Sequence, residues 1–62
     1  MNDDDGPMGL LVGDSVDVYD HAAEMWVRGT IIKILSELKN PVCVELRDGR
    51  RFWRKHEEVR EI

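Results

Sequence analysis

Between residues 15 and 20 the chain reads Ser15-Val16-Asp17-Val18-Tyr19-Asp20, with apolar and polar positions changing places at every step. A period of two is the mark of a strand with one buried face. It turns Val16 and Val18 toward a core and leaves Asp17 and Tyr19 on the opposite side. The longest apolar run, residues 26–35, carries Val27, Ile31, Ile32, Ile34 and Leu35 around Gly29. Its β-branched content favours a strand. A helix over residues 22–33, with Gly29 as its weak point, is the other reading of so apolar a stretch. In a strand, the glycine predicts a bulge or a sharp bend.

Val42-Cys43-Val44-Glu45-Leu46 alternates again, and Asp48-Gly49 separates it from Arg50-Arg51-Phe52-Trp53-Arg54, which predicts a hairpin. Lys55-His56-Glu57-Glu58-Val59 reads as one helical turn, and Arg60-Glu61-Ile62 as a short last strand. At the front, Leu10-Leu11-Val12 is expected to be a short strand ending in a bend at Gly13-Asp14. Residues 21–25 and 36–41 are expected to be connections. The core expected from this pattern is Val16, Val18, Ile31, Ile34, Val42, Val44, Leu46, Trp53 and Val59, with no internal repeat.

Sixty-two residues allow one small core. A chain of this length buries only roughly 60% of its unfolded surface, so it calls for a closed barrel, a disulfide, a metal or a partner. Cys43 is the single cysteine, which excludes an internal disulfide and points to a reducing, intracellular setting, cytoplasmic or nuclear. Cys43, His21 and His56 lie too far apart in sequence for a zinc site of the usual spacing, so no metal or cofactor is expected. No apolar stretch is long enough to span a bilayer, and Met1-Asn2-Asp3-Asp4-Asp5 is the opposite of a basic leader, so no membrane association is expected. Residues 1–8 are expected to form a flexible acidic arm, and residues 9–62 the folded module.

The net charge of −4 conceals an uneven distribution. Residues 1–24 hold seven acids and no Lys or Arg, whereas residues 47–55 hold five bases and one acid. Arg47, Arg50, Arg51, Arg54 and Lys55, interleaved with Phe52 and Trp53, combine cations for phosphates with rings for stacking bases, as single-stranded nucleic-acid binders do. The same residues suit an acidic protein partner, or an edge strand kept from aggregating by its charge. The acidic remainder of the chain works against long-range attraction to a polyanion.

Catalysis has little to build on. No serine stands in a nucleophile elbow, no glycine-rich loop precedes a helix, and Cys43 lies mid-strand without a neighbouring histidine. The carboxylate pairs, Asp3 to Asp5 and Glu57-Glu58, fall in the arm and a surface turn where no pocket would tune them. A non-enzymatic module is expected.

The order of strand, loop, long bent strand, tight hairpin, helical turn and short closing strand resembles the SH3-like barrel, and within it the Tudor and chromo-barrel modules. The resemblance rests on Val12-Gly13-Asp14-Ser15-Val16-Asp17-Val18-Tyr19-Asp20, on Trp26-Val27-Arg28-Gly29-Thr30-Ile31-Ile32, on Val42-Cys43-Val44-Glu45-Leu46 and on Asp48-Gly49, and it covers residues 12–62. It implies an all-β fold, a small five-stranded antiparallel barrel with one helical turn before the last strand. It also implies chromatin-type recognition of a protein segment, including one with methylated lysine or arginine, by aromatic rings at the barrel mouth. A methylated ammonium draws about 0.5–2 kcal/mol from each ring face it meets. Carried over, Tyr19 and Phe52 fall on cage positions, Trp26 or Trp53 would complete the wall, and Asp20 and Asp48 are the candidates for the acid. Val27 and Leu46 stand where the family usually has rings, so half of the cage is aliphatic. One SH3-like class, the small plasmid-borne dihydrofolate reductases, is an enzyme; its Val-Gln-Ile-Tyr strand is replaced here by Arg-Phe-Trp-Arg. A homo-oligomer closed by exposed aromatics is a third expectation for the surface.

Overall fold

A computed structural model, which describes residues 9–62, shows five strands in one antiparallel sheet. They are β1 (Ser15–Asp20), β2 (Met25–Ile34), β3 (Val42–Leu46), β4 (Arg51–Arg54) and β5 (Val59–Glu61), with one 3-10 turn, His56–Glu58, before the last strand. The all-β class follows the alternation, and the ambiguous apolar run is strand β2. The arm expected over residues 1–8 lies outside the described residues.

The sheet order is β4-β3-β2-β1-β5. It is not a closed barrel: β4 and β5 are its two edges, and among the described residues no strand pairing joins them. The sheet is nevertheless rolled. Arg54 on β4 donates from Nε to the Tyr19 carbonyl at the end of β1 (3.0 Å), although β3 and β2 lie between those strands. His21, just after β1, meets Glu58 of the 3-10 turn at 2.7 Å. The Arg54 side chain thus links the β4 edge to the far end of β1, where among the described residues no strand pairing does so.

One face of the sheet is the core. Val16, Val18, Ile31, Val42, Val44 and Val59 are fully buried there, joined by Leu10 and Leu46, with Val27, Ile34 and Phe52 packed against them. Leu10 does not reach the core as part of a strand. The expected strand at residues 10–12 is instead a turn, closed by the Asp14 amide on the Leu11 carbonyl (3.0 Å) and by the Leu11 amide on the Asp14 carboxylate (3.0 Å). Leu11 and Val12 face solvent.

Gly29 is not the bulge. The register slips between Ile31 and Lys33, so Ile32 is the extra residue, and that insertion lets Ile31 and Ile34, three positions apart, face the same side. Gly29 serves close approach: a Cβ there would stand 2.5 Å from Val44 Cγ1 and 2.9 Å from the Glu45 carbonyl oxygen. Only glycine lets β2 and β3 pack so tightly at this point.

Trp53 is the one expected core residue that faces the other way, 37% exposed, and Phe52 takes the inward place. The cause is the hairpin loop. A two-residue turn at Asp48-Gly49 would set Val44 opposite Trp53. The observed loop has three residues, Arg47, Asp48 and Gly49, with the Leu46 amide donating to the Arg50 carbonyl (2.8 Å) and Gly49 at φ 93° closing the turn. One added residue shifts the register and exchanges the faces, so Val44 pairs with Phe52 and Cys43 with Trp53.

Candidate binding surface

The strand register sorts the side chains onto two faces. On β1 and β2 the outward positions pair Tyr19 with Trp26, Asp17 with Arg28 and Ser15 with Thr30, and on β5 Arg60 lies opposite Asp17. Tyr19 and Trp26 meet edge to face, with ring centroids 5.4 Å apart, the arrangement aromatic quadrupoles favour. The Arg60 guanidinium reaches across β1 to lie 3.8 Å from the Trp26 ring centroid. His21 sets its ring 5.2 Å from Tyr19 while holding Glu58. Both aromatic rings are half-buried, and the core lies on the opposite side of the sheet.

Glu58 is held below its ordinary value of 4.5, chiefly because its carboxylate accepts the Lys55 amide (3.1 Å), with His21 adding to the effect. Beside Glu45 and Arg51, which pair at 3.2 Å, Cys43 is buried, and that burial pushes its thiol above its usual range.

The remaining expected site residues gather at the end of the inner face. Phe52 packs on the core with the Arg54 guanidinium 4.6 Å and the Arg50 guanidinium 5.6 Å from its centroid. Asp20 is buried; its Oδ1 accepts the Ala22 and Ala23 amides (3.0 and 3.2 Å), and its Oδ2 lies 4.0 Å from Arg50. It shapes the turn after β1. Asp48 accepts the Arg50 amide and Nε (3.1 and 2.7 Å), and the amide bond is the main reason its carboxyl sits below the usual range.

Of the ligand-binding residues expected from sequence, then, Tyr19 and Trp26 are brought together, while Phe52 and Asp20 lie on the other face and Asp48 in the β3–β4 loop. Val27 and Leu46, the aliphatic cage positions, point into the core. The basic block divides as well. Arg50 and Arg54 flank Phe52, Arg51 pairs with Glu45 on the outer face, Lys55 precedes the 3-10 turn, and Arg47 stands in the hairpin loop.

Compared with known protein families, curated proteins and solved structures, the chain has no match. The surface therefore has to be read from its own geometry. Two adjoining grooves, about 440 and 430 Å³, open beside the outward row of β2, and Arg28 and Arg47 line both. Ser15, Thr30 and Glu45 also line the first; Asp48 and Arg50 border the second. Arg28 is tied to Asp17 at 2.9 Å, whereas Arg47 has no ion pair among the described residues.

Arg28 and Arg60 were not among the residues singled out from sequence. The alternation Trp26, Arg28, Thr30 along β2 carried the signal for the first. Nothing local marks Arg60, because its place over Trp26 depends on β5 pairing with β1. Among the described residues no three His, Cys, Asp or Glu side chains cluster as metal ligands would, and no helix is long and apolar enough to cross a membrane.

Proposed function

We propose that residues 9–62 form a non-enzymatic binding module that takes a protein segment on the outer face of the sheet, with Tyr19 and Trp26 as the contact rings. The observation that carries this reading is the Tyr19–Trp26 pair with Arg60 stacked on it, on a sheet face that the core leaves open. Rings fixed by strand pairing offer contact area at little entropic cost, and Trp, Tyr and Arg are the side chains that most often dominate protein interfaces. A reduced, intracellular setting fits the free, buried Cys43.

A methylated-lysine cage needs rings converging on one point. Here Phe52 is on the inner face, and arginines already lie over Trp26 and Phe52. The favoured ligand is accordingly a segment without that modification.

The test is a titration, followed by fluorescence polarisation, with capped and labelled octapeptides. One repeats Phe-Ser-Gln-Ser twice, and the other carries trimethyl-lysine in place of glutamine. Binding of the glutamine peptide that is lost in Trp26→Ala and kept in Phe52→Leu supports the outer face. Loss in Phe52→Leu with retention in Trp26→Ala, binding of the trimethyl-lysine peptide alone, or no binding at millimolar peptide would overturn the reading.

A further inference from the structure

The outward row of β2 connects two different kinds of surface. Trp26 belongs to the aromatic pair, Arg28 and Thr30 follow at every second position, and Arg28 and Thr30 line the first groove. At about 3.4 Å per residue, the row from Trp26 to Thr30 covers roughly 14 Å, the reach of a five-residue extended segment. The groove end is cationic. Arg28 and Arg47 converge on it from β2 and from the hairpin loop, against Glu45, whose carboxylate is already engaged by Arg51. Arg47 is exposed, lines both grooves, and has no carboxylate partner among the described residues. At the other end, the Arg60 guanidinium is stacked on Trp26 and likewise has no ion pair among the described residues.

We infer that the segment bound on this face is acidic and extended, with an aromatic or apolar side chain on Tyr19–Trp26 and a carboxylate two residues further on in the groove between Arg28 and Arg47. The inference rests on the binding reading above and adds the chemistry of the partner. Side chains two apart on an extended segment point the same way, which matches the spacing of Trp26 and Arg28. A guanidinium with free donors pairs with a planar carboxylate through two parallel N–H bonds, and a groove shelters that pair from solvent better than an open surface. Arginines held in fixed ion pairs, such as Arg28 with Asp17, set the walls; Arg47, with no carboxylate partner among the described residues, supplies the donors. Charge complementarity favours a short carboxylate-bearing segment over a polyanion, because the groove offers a few arginines on a chain that carries −4 overall.

The test compares two capped octapeptides, Phe-Ser-Glu-Ser repeated twice and its glutamine counterpart, against the wild-type protein and Arg47→Gln. No described hydrogen bond or ion pair of the Arg47 side chain is lost in that variant. The glutamate peptide is expected to bind about tenfold more tightly than the glutamine peptide, as one charge-assisted contact provides. In Arg47→Gln that preference should fall to about twofold or less, and in the wild type it should shrink at high salt. Equal binding of the two peptides, or a preference untouched by Arg47→Gln, would overturn the acidic-partner inference and leave the binding face standing. Failure of both peptides to bind would overturn the face itself. Tighter binding of a single-stranded oligonucleotide than of the glutamate peptide would assign the groove to phosphate. A particle of twice 7.2 kDa in light scattering, with the Tyr19–Trp26 face buried, would assign it to a second copy of the chain.

Discussion

The two faces of this sheet are made from the same strands and obey opposite rules. Six side chains on the inner face are wholly buried, all of them valine or isoleucine, and they hold the fold by close packing. The outer face of β5, β1 and β2 carries Arg60, Asp17, Tyr19, Trp26, Arg28 and Thr30, where nearly every contact is an ion pair or a ring contact between neighbouring strands. A change of volume on the inner face costs stability, whereas the outer face holds its groups by strand pairing and leaves them half-buried or exposed. That contrast is the ground for proposing binding at Tyr19 and Trp26, while Phe52, despite its flanking arginines, packs against the core of the inner face.

Five substitutions would break or sharpen the contrast. Ile31→Ala removes a fully buried side chain and is expected to cost about 2–5 kcal/mol, enough to unfold much of so small a domain, whereas Trp26→Ala should cost about 1–2 kcal/mol. Urea denaturation compares them; equal losses would mean that the outer rings are part of the core. Gly29→Ala tests the close approach of β2 and β3 and should destabilise by about 1–3 kcal/mol, because the added carbon meets a backbone carbonyl as well as Val44. A neutral melting temperature would show that the strands can separate there.

Glu24, which ends the turn before β2, sits at φ 56°, a conformation that disfavours side chains. Glu24→Gly is expected to stabilise by up to about 1 kcal/mol, and a lowered melting temperature would mean the glutamate has a compensating contact. The smallest effect concerns pH. Glu58 has a folded pKa below its ordinary 4.5, so its contribution is fully present above that value and is lost as pH falls through the lower folded value. Glu58→Gln should therefore be less stable than wild type near neutrality, with the gap closing in the acid range; a gap independent of pH would refute the assignment.

Most of the fold was legible because the alternation in residues 15–20 and 42–46 is strict and an inner face is obligatory in a chain this short. The faces of β4 were not legible. Phe52 and Trp53 are adjacent, both flanked by cations, and composition alone does not choose between them. The choice was made by one residue, Arg47, joining the hairpin loop. Likewise Gly29 and the bulge at Ile32 are three residues apart in one apolar run, and only the partner strand tells them apart. In the candidate site, Tyr19 and Trp26 could be found by alternation, since both fall on polar-facing positions. Arg60 could not, because it comes to Trp26 through the return of β5 to β1, a contact between residues far apart in sequence.

The most direct test of the outer face is a map of amide shifts in a ¹⁵N-labelled protein titrated with the capped Phe-Ser-Glu-Ser octapeptide. Shifts confined to Tyr19, Trp26, Arg28, Thr30, Arg47 and Arg60, with Phe52, Asp20 and Arg54 unmoved, are the expected result. Shifts centred on Phe52, Asp20 and Arg54, with Tyr19 and Trp26 unmoved, would contradict it and return recognition to the inner end of the sheet.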